Sequence, residues 1–193
     1  MSATKEGALP TETKMKRSLV IFAYALVSGG AFAQTHTHGA SPYVDLVQRE
    51  IKALSNEQVS DLRAGRGMSL ALPAELNGYP GPSHVLELAA PLALTQDQRA
   101  RTESLFREMQ REAAALGERM IDSERRLDAL FASGIATPEK LTSATAETAS
   151  LQGELRFTHL KYHLEMKHLL SSAQVANYNS LRGYKAAHPQ KRK

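Results

Sequence analysis

The sequence predicts an all-α protein: a long antiparallel helical hairpin with short flanking helices. Three observations carry this. Apolar residues make up 42% of the 193 residues but aromatics only 6%, with no Trp, so the core must rest on Leu, Ala and Met, which suits helices packed on helices. From Thr95 to about Ser133 there is no Pro, and Phe106, Met109, Ala113, Leu116, Met120, Ser123, Leu127 and Leu130 follow a 3-4 spacing, the seam of a helix that lies along a partner. A stop-and-start signal comes next, with Gly134 as C-cap, Thr137 as N-cap and Pro138 at the first helical position.

Taken in order, the start of the chain reads as a secretory signal. Lys14, Lys16 and Arg17 are its positive region, Leu19 to Val27 its apolar run, and Ala31-Phe32-Ala33 an A-x-A site that would be cut before Gln34. The run is shorter than the roughly 20 residues a bilayer span needs, so stable membrane insertion is not expected. Met15 competes with Met1 as the true start. Export would permit disulfides, yet the chain has no Cys, and stability must come from packing. Removing residues 1–33 takes away four of 24 Lys and Arg and two of 20 Asp and Glu, leaving a net charge of +2. So mild a balance does not call for nucleic acid as a partner, and the basic tail at 184–193 reads as a solvated end.

Residues 34–42 are expected to form a polar, flexible lead-in, and residues 43–91 a set of short helices. Val44, Val47, Ile51 and Leu54 predict an amphipathic helix over 43–54. Ser55, with Gln58 three places on, starts another that ends near Gly65 and Gly67. A further short helix is expected over 68–76. The stretch NGYPGPS, at 77–83, interrupts helix, and two more turns fit between His84 and Ala90.

The hairpin domain spans 92–183. Its first rod, at about 1.5 Å per residue, is about 55–60 Å long and cannot bury its own stripe. The short connection at 134–137 makes the return antiparallel, with Leu141, Thr148, Leu151, Leu155, Tyr162 and Leu169 repeating the seam. On the returning rod, Leu155, Tyr162, Met166 and Leu170 cluster around His159. Phe157, Leu160 and Leu164 fall on a different face. That second face needs a cover: the N-terminal helices, a second subunit or a client.

Two capping boxes bracket the hairpin, Leu94-Thr95-Gln96-Asp97-Gln98 and Leu170-Ser171-Ser172-Ala173-Gln174, placed 76 residues apart. In each, the hydroxyl of Thr95 or Ser171 caps the helix and Gln98 or Gln174 reaches back. These LTxxQ-type boxes, around a long hairpin in a small exported Cys-free chain, resemble the CpxP/Spy family of bacterial periplasmic proteins over residues 92–183, with Ser171 standing in place of Thr. The resemblance implies a periplasmic all-α homodimer active in envelope stress, as an ATP-independent holder of unfolded proteins or an inhibitor of an envelope sensor protein. It also extends to CnrX-like periplasmic metal sensors, which bind through His, Glu and Met.

No enzyme signature is present: no G-x-S-x-G, no Walker loop, no Cys nucleophile and no H-E-x-x-H, so a non-enzymatic protein is expected. His159 and His163, four apart on one helical face, have the spacing that chelates a Zn, Ni or Cu ion, with Met166 in the same arc. His84, Glu165 or a partner chain would have to complete the shell. Half-buried histidines with satisfied ring nitrogens fit the same spacing. After cleavage, His36 would stand third from a free amine, a square-planar nitrogen set for Cu or Ni.

A client surface would draw on Phe157, Leu160 and Leu164 with the flexible Met109 and Met120, framed by the charges of the first rod. The expected function is therefore a CpxP/Spy-type ATP-independent chaperone. A periplasmic heavy-metal sensor or resistance protein, and an adaptor for one envelope protein, are the alternatives.

Overall fold

The computed structural model describes residues 41–184, and among these every regular element is helical. The signal segment at 1–33, His36 and the tail beyond Tyr184 lie outside the described residues. The elements are a 3-10 turn at Val44–Leu46, then α1 Asn56–Arg63, α2 Leu72–Glu75, α3 Pro82–Glu87, α4 Gln96–Ala132, α5 Pro138–Leu169 and α6 Ser172–Leu181.

Local chemistry explains each boundary of the long helices. Thr95 caps α4 with a complete capping box, its hydroxyl accepting from Gln98 N–H while Gln98 Oε1 accepts from Thr95 N–H, both at 3.1 Å. Gly134, at φ +66°, ends α4 in the left-handed region where a side chain would be strained. Thr137 and Pro138 start α5. Ser55 and Ser171 complete the same box on α1 and α6.

Cross-helix contacts climb α4 as they descend α5. Gln98 meets Leu169, Tyr162 and Lys161 meet Glu112, Arg119 meets Glu154, Ser123 meets Thr148 and Arg126 meets Glu147. The polar seam positions Ser123 and Thr148 satisfy one another, with their hydroxyls 2.7 Å apart.

The core has two parts. One joins Val85, Leu92, Leu105, Met109, Tyr162, Met166, Leu170, Val175 and Tyr178; the other joins Ile51, Leu62, Ala113, Ile121 and Leu155. The short N-terminal elements thus form a third layer over α4 and the His159 face of α5. They approach closely: a Cβ on Gly117 would lie 2.1 Å from the Leu62 carbonyl oxygen, so only glycine allows α1 to cross α4 there.

Two expected helices are shortened. Residues 43–54 form only the 3-10 turn and further turns: Val44 and Val47 are exposed, Tyr43 supplies no side-chain cap, and one buried residue, Ile51, cannot stabilise so short a helix. The stretch 68–76 is helical only at Leu72–Glu75, because Met68 and Ser69 adopt positive φ (41° and 65°). Helix α3 begins at Pro82, inside the NGYPGPS stretch, where proline is tolerated in a first turn.

Candidate functional site

The two boxes meet. Gln98 Nε2 donates to Gln174 Oε1 at 3.0 Å, and Gln174 Nε2 donates to Gln98 Oε1 at 2.9 Å. Each amide also donates to a carbonyl, Gln98 to Leu169 and Gln174 to Leu92, and each Oε1 accepts the N–H of its own cap residue. Both side chains therefore use two donors and two acceptors in full. Leu170 and Val175 are buried beside them as a hydrophobic staple, while Leu94 is half-buried. Gln rather than Glu is required here, because a carboxylate closes a capping box but cannot donate across to the other helix.

Farther along α4 and α5 lies a half-open cavity of about 410 Å³, walled by residues from the 65–84 segment, α4 and α5. Glu75 sits in its wall, 4% exposed. Glu75 Oε1 accepts from the hydroxyls of Tyr178 and Tyr184 and lies 3.1 Å from His84 Nδ1; Oε2 accepts from Gly81 N–H at 3.0 Å. Burial pushes this carboxyl up, but the hydrogen bonds from His84 and Tyr178, with the His84 charge and the Tyr184 bond, outweigh it and bring it down to about 2. The bonded carboxylate is thus the charged hub that ties α2 and α3 to α6 and the chain just after it. Burial, and then the Glu75 carboxylate, push the Tyr178 hydroxyl up.

His159 and His163 both line this cavity and are 2% and 7% exposed. His163 Nδ1 lies 2.7 Å from the Tyr79 carbonyl oxygen, so it carries the hydrogen, and the neutral ring keeps its free lone pair on Nε2. Burial lowers the pKa of both rings; for His163 the Tyr79 bond and Glu75 only partly offset it, and for His159 the neighbouring His163 adds to it. His159 Nε2 is buried with no hydrogen-bond partner among the described residues, an omission that costs about 1–3 kcal/mol.

The structure brings together some of the residues singled out from sequence and separates others. Met166 is fully buried in the apolar core and does not line the cavity with the two histidines. Among the described residues no group of three or more His, Asp and Glu is placed to hold a metal ion. Of the client-surface residues, Phe157 and Leu164 are 64% and 50% exposed, and Leu160 is half-buried. Met109 and Met120 are a correction: Met109 belongs to the core and Met120 packs against it, because the third layer covers the α4 seam. Sequence reasoning missed Glu75, Gly81, Tyr178 and Tyr184. Only the proximity of Glu75 to the glycine-proline stretch hinted at this cluster. No family model matches the chain, and neither a curated protein nor a solved structure was found to match it.

Proposed function

We propose that the chain is a non-enzymatic envelope protein, a helical hairpin of CpxP/Spy type formed by α4 and α5, that holds unfolded polypeptides on the outer face of α5 without ATP. The observation that carries this reading is the solvent-facing stripe of Phe157, Leu160 and Leu164, which the N-terminal layer leaves uncovered while it seals the opposite face. On a helical wheel Arg156 and Lys167 flank one edge of the stripe and Lys161 the other. Burying Phe157 or Leu164 in a client contributes about 1.5–3 kcal/mol each. Most of that is offset by the cost of association, which leaves contacts weak enough to release without fuel. The signal-like leader supports a periplasmic setting, and the clasped boxes support the family resemblance. A homodimer and an envelope sensor as partner belong to the same proposal. The metal-sensor alternative is less well supported, since Met166 is sealed away and, among the described residues, no third ligand joins the two histidines.

The test is light scattering of a chemically denatured, unrelated protein diluted into buffer without nucleotide. Substoichiometric to equimolar amounts of this chain should suppress aggregation, and a Phe157→Ser/Leu164→Ser variant with an unchanged melting curve should lose at least half of that effect. Equal suppression by the variant, or none by either, refutes the assignment.

A further inference from the structure

We propose that the cavity between the 65–84 segment, α4 and α5 binds a small organic cation, a primary amine carried on an apolar body of phenyl size. The α5 stripe plays no part in this inference. A volume of about 410 Å³ lies within the roughly 300–1,000 Å³ typical of small-molecule sites. Its wall combines Met68, Leu72, Pro82, Phe106 and Met109 with a few polar groups, the usual make-up of such a site.

Beside Gly81 the polar groups are acceptors, and Arg66, a cation in the same wall, is already bonded to Asp61 and Ser60. His163 gives its hydrogen to Tyr79 and so presents a bare Nε2. Glu75 Oε1 is occupied by three neighbours, while Oε2 takes only the Gly81 N–H as a hydrogen bond. Both atoms lie beside Gly81, where a Cβ would come within 2.9 Å of His163 Cε1, 3.1 Å of His163 Nε2 and 3.5 Å of Glu75 Oε2, so glycine keeps a side chain from crowding the two acceptors. An ammonium, with three donors and a positive charge, suits two acceptors of which one is a carboxylate; a carboxylate ligand at that spot would meet like charge.

His159 adds a second, independent sign. It lies in the same wall, buried, with a ring nitrogen that no group among the described residues satisfies. The backbone at the wall is also held in the left-handed region at Met68 and Ser69, a strain that functional sites often store.

The experiment is calorimetry of the full chain with 2-phenylethylamine, phenylacetate and zinc chloride, alongside NMR of 15N-histidine-labelled protein. The amine should bind at least about tenfold more tightly than phenylacetate, a difference that charge complementarity readily supplies. It should also shift the ring nitrogens of His159 and His163. In Gly67→Leu the new Cβ makes ordinary contact with His159 Nδ1 at 3.7 Å while the side chain fills cavity space, and the amine heat should vanish. Equal binding of amine and phenylacetate overturns the proposal, as does an absence of amine binding whether or not zinc binds. If Gly67→Leu does not fold, the wild-type spectra decide, because amine binding without shifts at His159 and His163 places the ligand elsewhere.

Discussion

The two ends of the α4–α5 pair share one sequence pattern but differ in what covers them. At the end near α6, three layers meet: Leu105, Met109, Tyr162 and Met166 are buried under α3 and beside α6, and the paired glutamines lock the edge. At the end near Gly134, the seam residues Leu127, Leu130 and Leu141 are only half-buried, and Phe131 and Ile135 are 61% and 51% exposed. The last seam position buried on α4 is Ser123, and the first on α5 is Leu151. Heptad spacing therefore sets which face of a helix turns inward, whereas a third layer decides how much of that face leaves water. Two helices alone leave their seam residues half-buried, as Leu127, Leu130 and Leu141 show.

The sharpest way to break the contrast is at Glu75, the group that ties the third layer down. Removing one partner of a buried charged network costs about 3–5 kcal/mol. Glu75→Ala should therefore unfold the short helices or the whole chain, as read by urea denaturation. The wild type should carry the same information in its pH dependence. The Glu75 carboxyl is lowered from 4.5 to about 2, so its contribution is fully present above about pH 4.5 and is lost as pH falls toward 2. Over that interval the loss is about 3 kcal/mol. His159 and His163, also lowered, add stability as neutral rings above their unfolded value of about 6.5 and lose it as pH falls through their folded values. A Glu75→Gln variant that keeps the wild-type loss between pH 4.5 and 2 would show that the carboxylate is not the anchor.

A smaller effect separates capping from clasping. Gln98→Glu preserves the capping box but removes the donor to Gln174 and to the Leu169 carbonyl, leaving those acceptors short of partners. The expected cost is about 1–3 kcal/mol. Gln58→Glu is the control: Gln58 closes the same box on α1, through Ser55, and among the described residues its side chain bonds no other helix. That change should stay within about 0.5 kcal/mol. Equal costs for the two variants would reduce the paired boxes to ordinary helix starts.

That pair of glutamines also marks what could be read from sequence. The boxes, Gly134, Thr137 and Pro138 act through neighbours three or four places away, so local spacing reveals them. The second role of Gln98 comes from a residue 76 positions on, and the donors to Glu75 from Tyr178 and Tyr184 lie 103 and 109 positions away. Nothing in the short run Leu72-Pro73-Ala74-Glu75 signals a buried charge. The failure at 43–54 has the same origin in reverse. The apolar spacing there favours a helix, but tertiary packing takes only Ile51 fully inside, and a short helix without burial does not hold.

The smallest effect is expected at the turn end of the pair, and it tests the comparison from the other side. If that end is a two-layer structure open to water, Phe131→Ser and Ile135→Ser remove little buried area. Each should then change stability by no more than about 0.5 kcal/mol. Amides at 122–132 of α4 should exchange through local openings well below the global unfolding free energy, while those at 102–113 should approach it. Measuring exchange at two protein concentrations makes the result decisive. Slow exchange at the turn end that strengthens with concentration, together with a serine penalty above about 1.5 kcal/mol, would mean that a second copy supplies the missing third layer there.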